Sequence, residues 1–166
     1  MNRTLAFIAK YYDGTVPKGK FTDKISDTSS LTIPEELKEL YVSVGKQIET
    51  GEFRDALHSV FNYVRLANKY FDTEQPWITR TADPEKCENT IFNCVGIISN
   101  LAILLSPFLP FSSKKVCGWL SLEKKWELQT VPAGYKLPEI SILFERIDKK
   151  VIKEENEKLK SILNLE

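Results

Sequence analysis

Apolar residues recur along this chain with the period of an α-helix, and polar clusters rich in glycine or proline separate the periodic stretches. Over residues 1–13, Leu5, Phe7, Ile8, Tyr11 and Tyr12 supply apolar surface, and Asp13-Gly14 is a turn and C-cap pair. Residues 15–31 carry Pro17, Gly19 and a Ser/Thr/Asp cluster and read as a loop. Thr32-Ile-Pro-Glu35 has the form of a capping box. Behind it Leu37, Leu40, Tyr41, Val44 and Ile48 keep the helical rhythm as far as Thr50-Gly51. The next helix is the most regular, with Phe53, Ala56, Leu57, Val60, Phe61, Val64, Ala67 and Phe71 on one broad face. The polar stretch Asp72-Thr-Glu-Gln-Pro76-Trp77 stops it, because Pro76 holds the residue before it away from helical geometry.

Asp83-Pro84 then supplies an N-cap and a proline at the first helical position. The stripe that follows is Ile91, Cys94, Val95, Ile98, Leu101, Ala102 and Leu105. Ser106-Pro107-Phe-Leu-Pro110 breaks the chain before a shorter helix near 111–120. Residues 121–146 are irregular, with residues 140–144 predicted as a short extended piece. From Asp148 the composition shifts to Lys and Glu, and Val151, Ile152, Leu159 and Ile162 are spaced as one side of an amphipathic helix. There is no internal repeat. The pattern predicts an all-α fold, an antiparallel bundle of about five helices over residues 1–147 with a C-terminal amphipathic helix over 148–166.

Composition narrows the function. A length of 166 residues suits one domain with a tail and buries enough surface to need no metal or disulfide staple. Lys plus Arg number 23 and Asp plus Glu number 23, so the net charge is zero and a uniformly cationic nucleic-acid coat is excluded. Any nucleic-acid contact must come from a local site. Cys87, Cys94 and Cys117 are too few and too scattered for a secreted disulfide framework, and the N-terminus lacks a signal-peptide core. A reducing, cytoplasmic setting is the expectation. Residues 90–113 carry no charge, which raises the membrane question. Asn93, Ser99 and Asn100 at the centre, with Pro107 and Pro110 beyond, point instead to a helix buried inside the bundle. No membrane partner is expected.

Catalytic chemistry is scarce. His58 is the single histidine, one turn after Asp55, and a zinc site needs three or four ligands. The cysteines form no Cys-x-x-Cys pair, and no glycine-rich phosphate loop is present. The lysine clusters at 114–115, 124–125 and 149–153 read as solvated surface. No catalytic residue, metal site or cofactor of its own is assigned to this chain. Two residues suit binding better. Trp77 lies after Pro76 in a polar segment, where its ring either folds back to plug the bundle or stays exposed to stack on an unpaired base. Arg3 is the only strong cation in the first two turns and carries donors suited to a base edge or phosphate.

Together these residues form a recognisable series. Asn2-Arg3-Thr4-Leu5, Phe7 and Lys10-Tyr-Tyr12-Asp13-Gly14 resemble the start of the anticodon-binding domain of methionyl-tRNA synthetases. Ala67-Asn68-Lys69-Tyr70 with Pro76-Trp77, then Leu104-Leu105-Ser106-Pro107-Phe108-Leu109-Pro110, then Leu143-Phe144-Glu145-Arg146-Ile147-Asp148, are similar to its later signatures. The resemblance spans nearly the whole chain and implies a helical bundle that reads the CAU anticodon loop of methionine tRNA. It implies that Arg3 and Trp77 engage the first anticodon base, a cytosine, with Pro76 setting the ring. It also implies a catalytic domain of the same enzyme as partner, which would use ATP and magnesium to activate methionine. The family's partner asparagine, four residues before the arginine, would fall before Met1, so the sequence reads as a piece cut inside the first helix. Asn2 neighbours Arg3 and points to a different face. Two other readings stand beside this one: a helical protein–protein module docking through 148–166, and, remotely, a hydrolase using His58 and Asp55.

Overall fold

The computed structural model describes residues 2–144 and 147–163, and every regular element among them is helical. In order these are α1 (Asn2–Tyr11), α2 (Ile33–Glu49), α3 (Phe53–Glu74), α4 (Pro76–Ala82), α5 (Pro84–Leu104), α6 (Pro110–Trp119) and α7 (Lys149–Leu163). Met1, Glu145 and Arg146 of the last signature, and residues 164–166 at the end of the expected last helix, lie outside the described residues.

α5 is the hub. It contacts α1, α2, α3, α4 and α6, and its whole middle from Ile97 to Leu104 is buried. It is the one described helix long and apolar enough to cross a membrane, and 83% of that stretch is enclosed by the other helices. Its polar residues are matched rather than stranded, as burial demands. Asn100 donates to the carbonyls of Gly96 and Gln129, both at 2.8 Å, and accepts from Gln129 N at 2.9 Å. Ser99 donates to Val95 O at 2.9 Å. Asn93 donates to Lys20 O at 2.9 Å and so holds down the loop between α1 and α2.

That loop is strapped across α5 and tied to α3. Asp23 accepts from the Tyr70 hydroxyl at 2.6 Å and from Asn89 Nδ2 at 2.8 Å. The Phe21 ring lies on Gly96 so closely that a Cβ there would sit 2.5 Å from it. α2 and α3 are joined by only three residues and pack along each other, the geometry of an antiparallel hairpin.

Two sequence expectations change. Among the described residues the bundle has six helices before the last one, where about five were expected, because Pro76 does not only end α3 but also begins α4 as its first residue. Proline has no N–H to lose at that position and its φ is already helical. Residues 140–144 form no strand; the only bridge among the described residues pairs Thr15 with Lys136. α7 contacts no other described helix, and Val151, Ile152, Leu159 and Ile162 are all exposed.

Candidate nucleic-acid interface

Arg3 lies in the first turn of α1, and its side chain reaches the last turn of α3. Its Nη2 donates to Asp72 Oδ1 at 2.6 Å, and its Cζ sits 4.5 Å from the centre of the Phe71 ring. Phe71 is buried on its other sides by the core. The Trp77 ring lies 6.0 Å from the Phe71 ring at 43°, a tilted contact within the range where aromatic pairs attract. Arg3 and Trp77, separated by about half of the bundle's sequence, thus both contact one phenylalanine.

The backbone explains why Trp77 can be there. Gln75 adopts a left-handed conformation, φ 46°, which turns the chain sharply between α3 and α4. Pro76 follows, buried, and its carbonyl accepts from the Cys87 thiol at 3.4 Å. With Pro76 anchored to α5, the ring of Trp77 is held at the surface, 47% exposed. Of the two sequence alternatives for Trp77, the plug inside the bundle is therefore not the one adopted. Pro76 itself is buried, facing the core rather than solvent.

Asn2 takes the other side of α1. It lines a shallow hollow with Ala6, Ala9, Lys10 and residues 137–142, with Lys10 also reaching back to the Tyr11 ring, whereas Arg3 and Thr4 line a small hollow with Phe71, Cys94 and Ile98. Asn2 therefore cannot serve beside Arg3, as its register implied.

The sequence did not single out the residues that complete this surface. By sequence Phe71 belongs to the core stripe, and Tyr11 supplies apolar surface and falls within the first signature without a role of its own. Tyr11 follows Phe7 by one turn, their rings 4.6 Å apart. Arg80 of α4 lays its guanidinium over Tyr11, with Cζ 4.4 Å from the ring centre, and Lys10 Nζ is 5.1 Å from it. Arg3, Phe7 and Tyr11 share a helix face, so this much was readable from spacing; that α4 lies opposite them was not.

Other candidate chemistry is not assembled. His58 and Asp55 are exposed and share no hydrogen bond among the described residues. Cys87 and Cys94 are buried and Cys117 half-buried, and burial pushes the Cys94 thiol up to about 12. Among the described residues no three His, Cys, Asp or Glu side chains converge to hold a metal ion.

Comparisons with known proteins bear on the chain's family. The family model described as the anticodon binding domain of methionyl tRNA ligase matches residues 16–163, which takes in Pro76 and Trp77 and starts after Arg3. Methionine–tRNA ligase of Bacillus mycoides is 50% identical over 161 residues, 96% of this chain and 28% of that protein. Methionine–tRNA ligase 1 of Alkaliphilus oremlandii is 42% identical over 160 residues, with the same coverage of 96% and 28%. The chain therefore spans little more than a quarter of the length of these relatives. Among solved structures, apo methionyl-tRNA synthetase of Mycobacterium tuberculosis superposes with a TM-score of 0.76 at 25% identity, over 89% of this chain and 31% of that one. By its sequence and by its bundle, this chain belongs to the family of anticodon-binding domains of methionyl-tRNA ligases.

Proposed function

We propose that this chain binds the anticodon loop of methionine tRNA, with Trp77 stacking on the first anticodon base and Arg3 donating to that base's edge. The observation that carries the reading is the meeting of an exposed tryptophan and an arginine across Phe71. The division of labour follows from the groups. A π-face accepts any base, and directed guanidinium donors distinguish one base edge from another. Zero net charge fits a domain that inspects a few splayed bases rather than coating a backbone.

In this reading the chain is the tRNA-recognising part of an enzyme whose catalytic domain activates methionine with ATP and magnesium. None of that chemistry is assigned to the residues described. A cytoplasmic setting accords with three cysteines that form no disulfide. The protein–protein alternative draws only on α7, while the aromatic and cationic end of the bundle favours RNA.

The test is a titration of this chain with an anticodon stem-loop at low salt. CAU is expected to bind more tightly than the same loop with its first base changed. Trp77→Ala is expected to cost about 1–3 kcal/mol of binding, the usual worth of one base–aromatic stack. Equal affinity for the two loops would remove the specificity claim, and an unchanged Kd for the alanine variant would remove the stack.

A further inference from the structure

We infer that Arg80 and Lys10, gathered around the Tyr11 ring, form a phosphate-binding position for the RNA strand beside the base held at Trp77; this rests on the anticodon-loop reading. Arg3 has one face on Phe71 and its Nη2 on Asp72, so its charge is matched within the protein. Arg80 has a face on Tyr11, but neither Arg80 nor Lys10 forms an ion pair among the described residues. Glu88 of α5 opposes the field of Arg80 at Tyr12 and forms no ion pair with it among the described residues.

Stacking does not use up a guanidinium. Its attraction is to the ring face, while the five N–H donors lie in its plane and remain directed outward. A planar fork held by a ring is already ordered, so little side-chain freedom is lost when it takes a phosphate bidentately. Tyr11 is 40% exposed and Arg80 is exposed, so the position is open to a strand. Lys10 brings a second positive charge to the same ring at 5.1 Å. The spacing also suits RNA. Trp77 and Arg80 are three residues apart on α4, hence neighbours on one helix face about 5–6 Å apart at Cβ. A base at Trp77 and a phosphate at Arg80 are thus addressed from one face of α4. Arg3 and Trp77 then address the base, and Arg80 with Lys10 addresses the backbone, which carries no sequence information.

The experiment measures Kd for the 166-residue chain against the CAU stem-loop and its first-base variant over a series of salt concentrations. Arg80→Gln and Lys10→Gln are compared with Lys124→Gln, a control on the far surface. Arg80→Gln is expected to weaken both loops by the same factor, about tenfold at low salt. It is also expected to flatten the plot of log K against log salt by about 0.7, the single-strand value for one lost phosphate contact. Lys10→Gln should flatten the plot in the same sense, and Lys124→Gln should not. An unchanged slope in Arg80→Gln would overturn the proposal. So would a loss of the CAU preference at unchanged slope, since Arg80 would then be reading a base. The slope is read on either loop, so failure of the wild type to prefer CAU overturns the anticodon reading and leaves the phosphate position to stand or fall by itself. Binding of neither RNA by the wild type would overturn both.

Discussion

The guanidinium of Arg3 lies against the ring of Phe71, Cζ to ring centre 4.5 Å, and joins the first helix to the end of the third. Phe71 is 7% exposed and also touches Trp77, so one ring supports both proposed base contacts. Phe71→Leu keeps an apolar side chain of adequate volume but deletes the π-face. The cation–π contact is worth about 0.5–1 kcal/mol and the aromatic pair about as much again. Stability is expected to fall by about 1–2 kcal/mol in urea unfolding. Affinity for the CAU loop should drop several-fold at temperatures where the variant is fully folded. Wild-type affinity in the folded variant would mean that Arg3 and Trp77 hold their places without Phe71.

Acid should loosen the start of α2. Glu35 accepts from the Thr32 backbone N–H at 2.8 Å and from the Thr32 hydroxyl at 2.7 Å. These bonds favour the ionised carboxylate and hold its pKa below the ordinary value. A lowered pKa in the folded state means that unfolding is accompanied by proton uptake as pH approaches the ordinary carboxylate range. The stabilisation is therefore present above the unfolded pKa and lost as pH falls through the folded one. Melting curves of Glu35→Gln and wild type are expected to differ at neutral pH and to converge in acid. A difference in Tm that stays constant with pH would assign the effect to packing instead.

Most helices were legible because a helix that buries one face must repeat its apolar residues every three or four positions, and α2, α3 and α5 do. α4 was not, because Pro-Trp-Ile-Thr-Arg-Thr-Ala has no such repeat and its proline signals a stop and a start equally well. Residues 140–144 alternate apolar and polar side chains for part of their length, but no neighbouring strand offers hydrogen bonds, so they stay irregular. The site was half legible. Trp77 stood out as an aromatic in a polar segment, and Arg3 as an isolated cation. Phe71, Asp72, Tyr11 and Arg80 did not, because their roles depend on side chains that bridge α1 and the α3–α4 corner, contacts between residues about seventy positions apart.

The cysteines should react in order of burial. Thiolate is the reacting form, and burial in an apolar core disfavours it. Cys94 is pushed up to about 12, and the half-buried Cys117 is raised above its ordinary value, also by desolvation. Cys87 is fully buried between the Tyr12 hydroxyl and the Pro76 carbonyl. At pH 8, iodoacetamide is expected to label Cys117 first and slowly, and Cys87 and Cys94 only as fast as the chain opens. Mass spectrometry of peptides over time checks this. Early labelling of Cys87 would indicate that the anchor under Pro76 opens without global unfolding.

Asp72 bears on selectivity more than on stability. Its pair with Arg3 is short, 2.6 Å, but both side chains are more than half exposed. Exposed pairs contribute roughly 0–1 kcal/mol, so Asp72→Asn should shift Tm little. Its effect on RNA should be larger, for two reasons that act in the same direction. The carboxylate repels phosphates approaching the Trp77 end, and it occupies a guanidinium edge that would otherwise pair with any acceptor. While Asp72 holds that edge, a base must offer a better acceptor array than the carboxylate does in order to displace it. Removing the charge frees Arg3 to bind loops indiscriminately. Asp72→Asn is thus expected to tighten the first-base variant more than the CAU loop and to narrow the ratio of their Kd values. An equal gain for both loops would reduce Asp72 to a source of repulsion, and weaker binding of CAU alone would mean that the carboxylate orients Arg3 for its base.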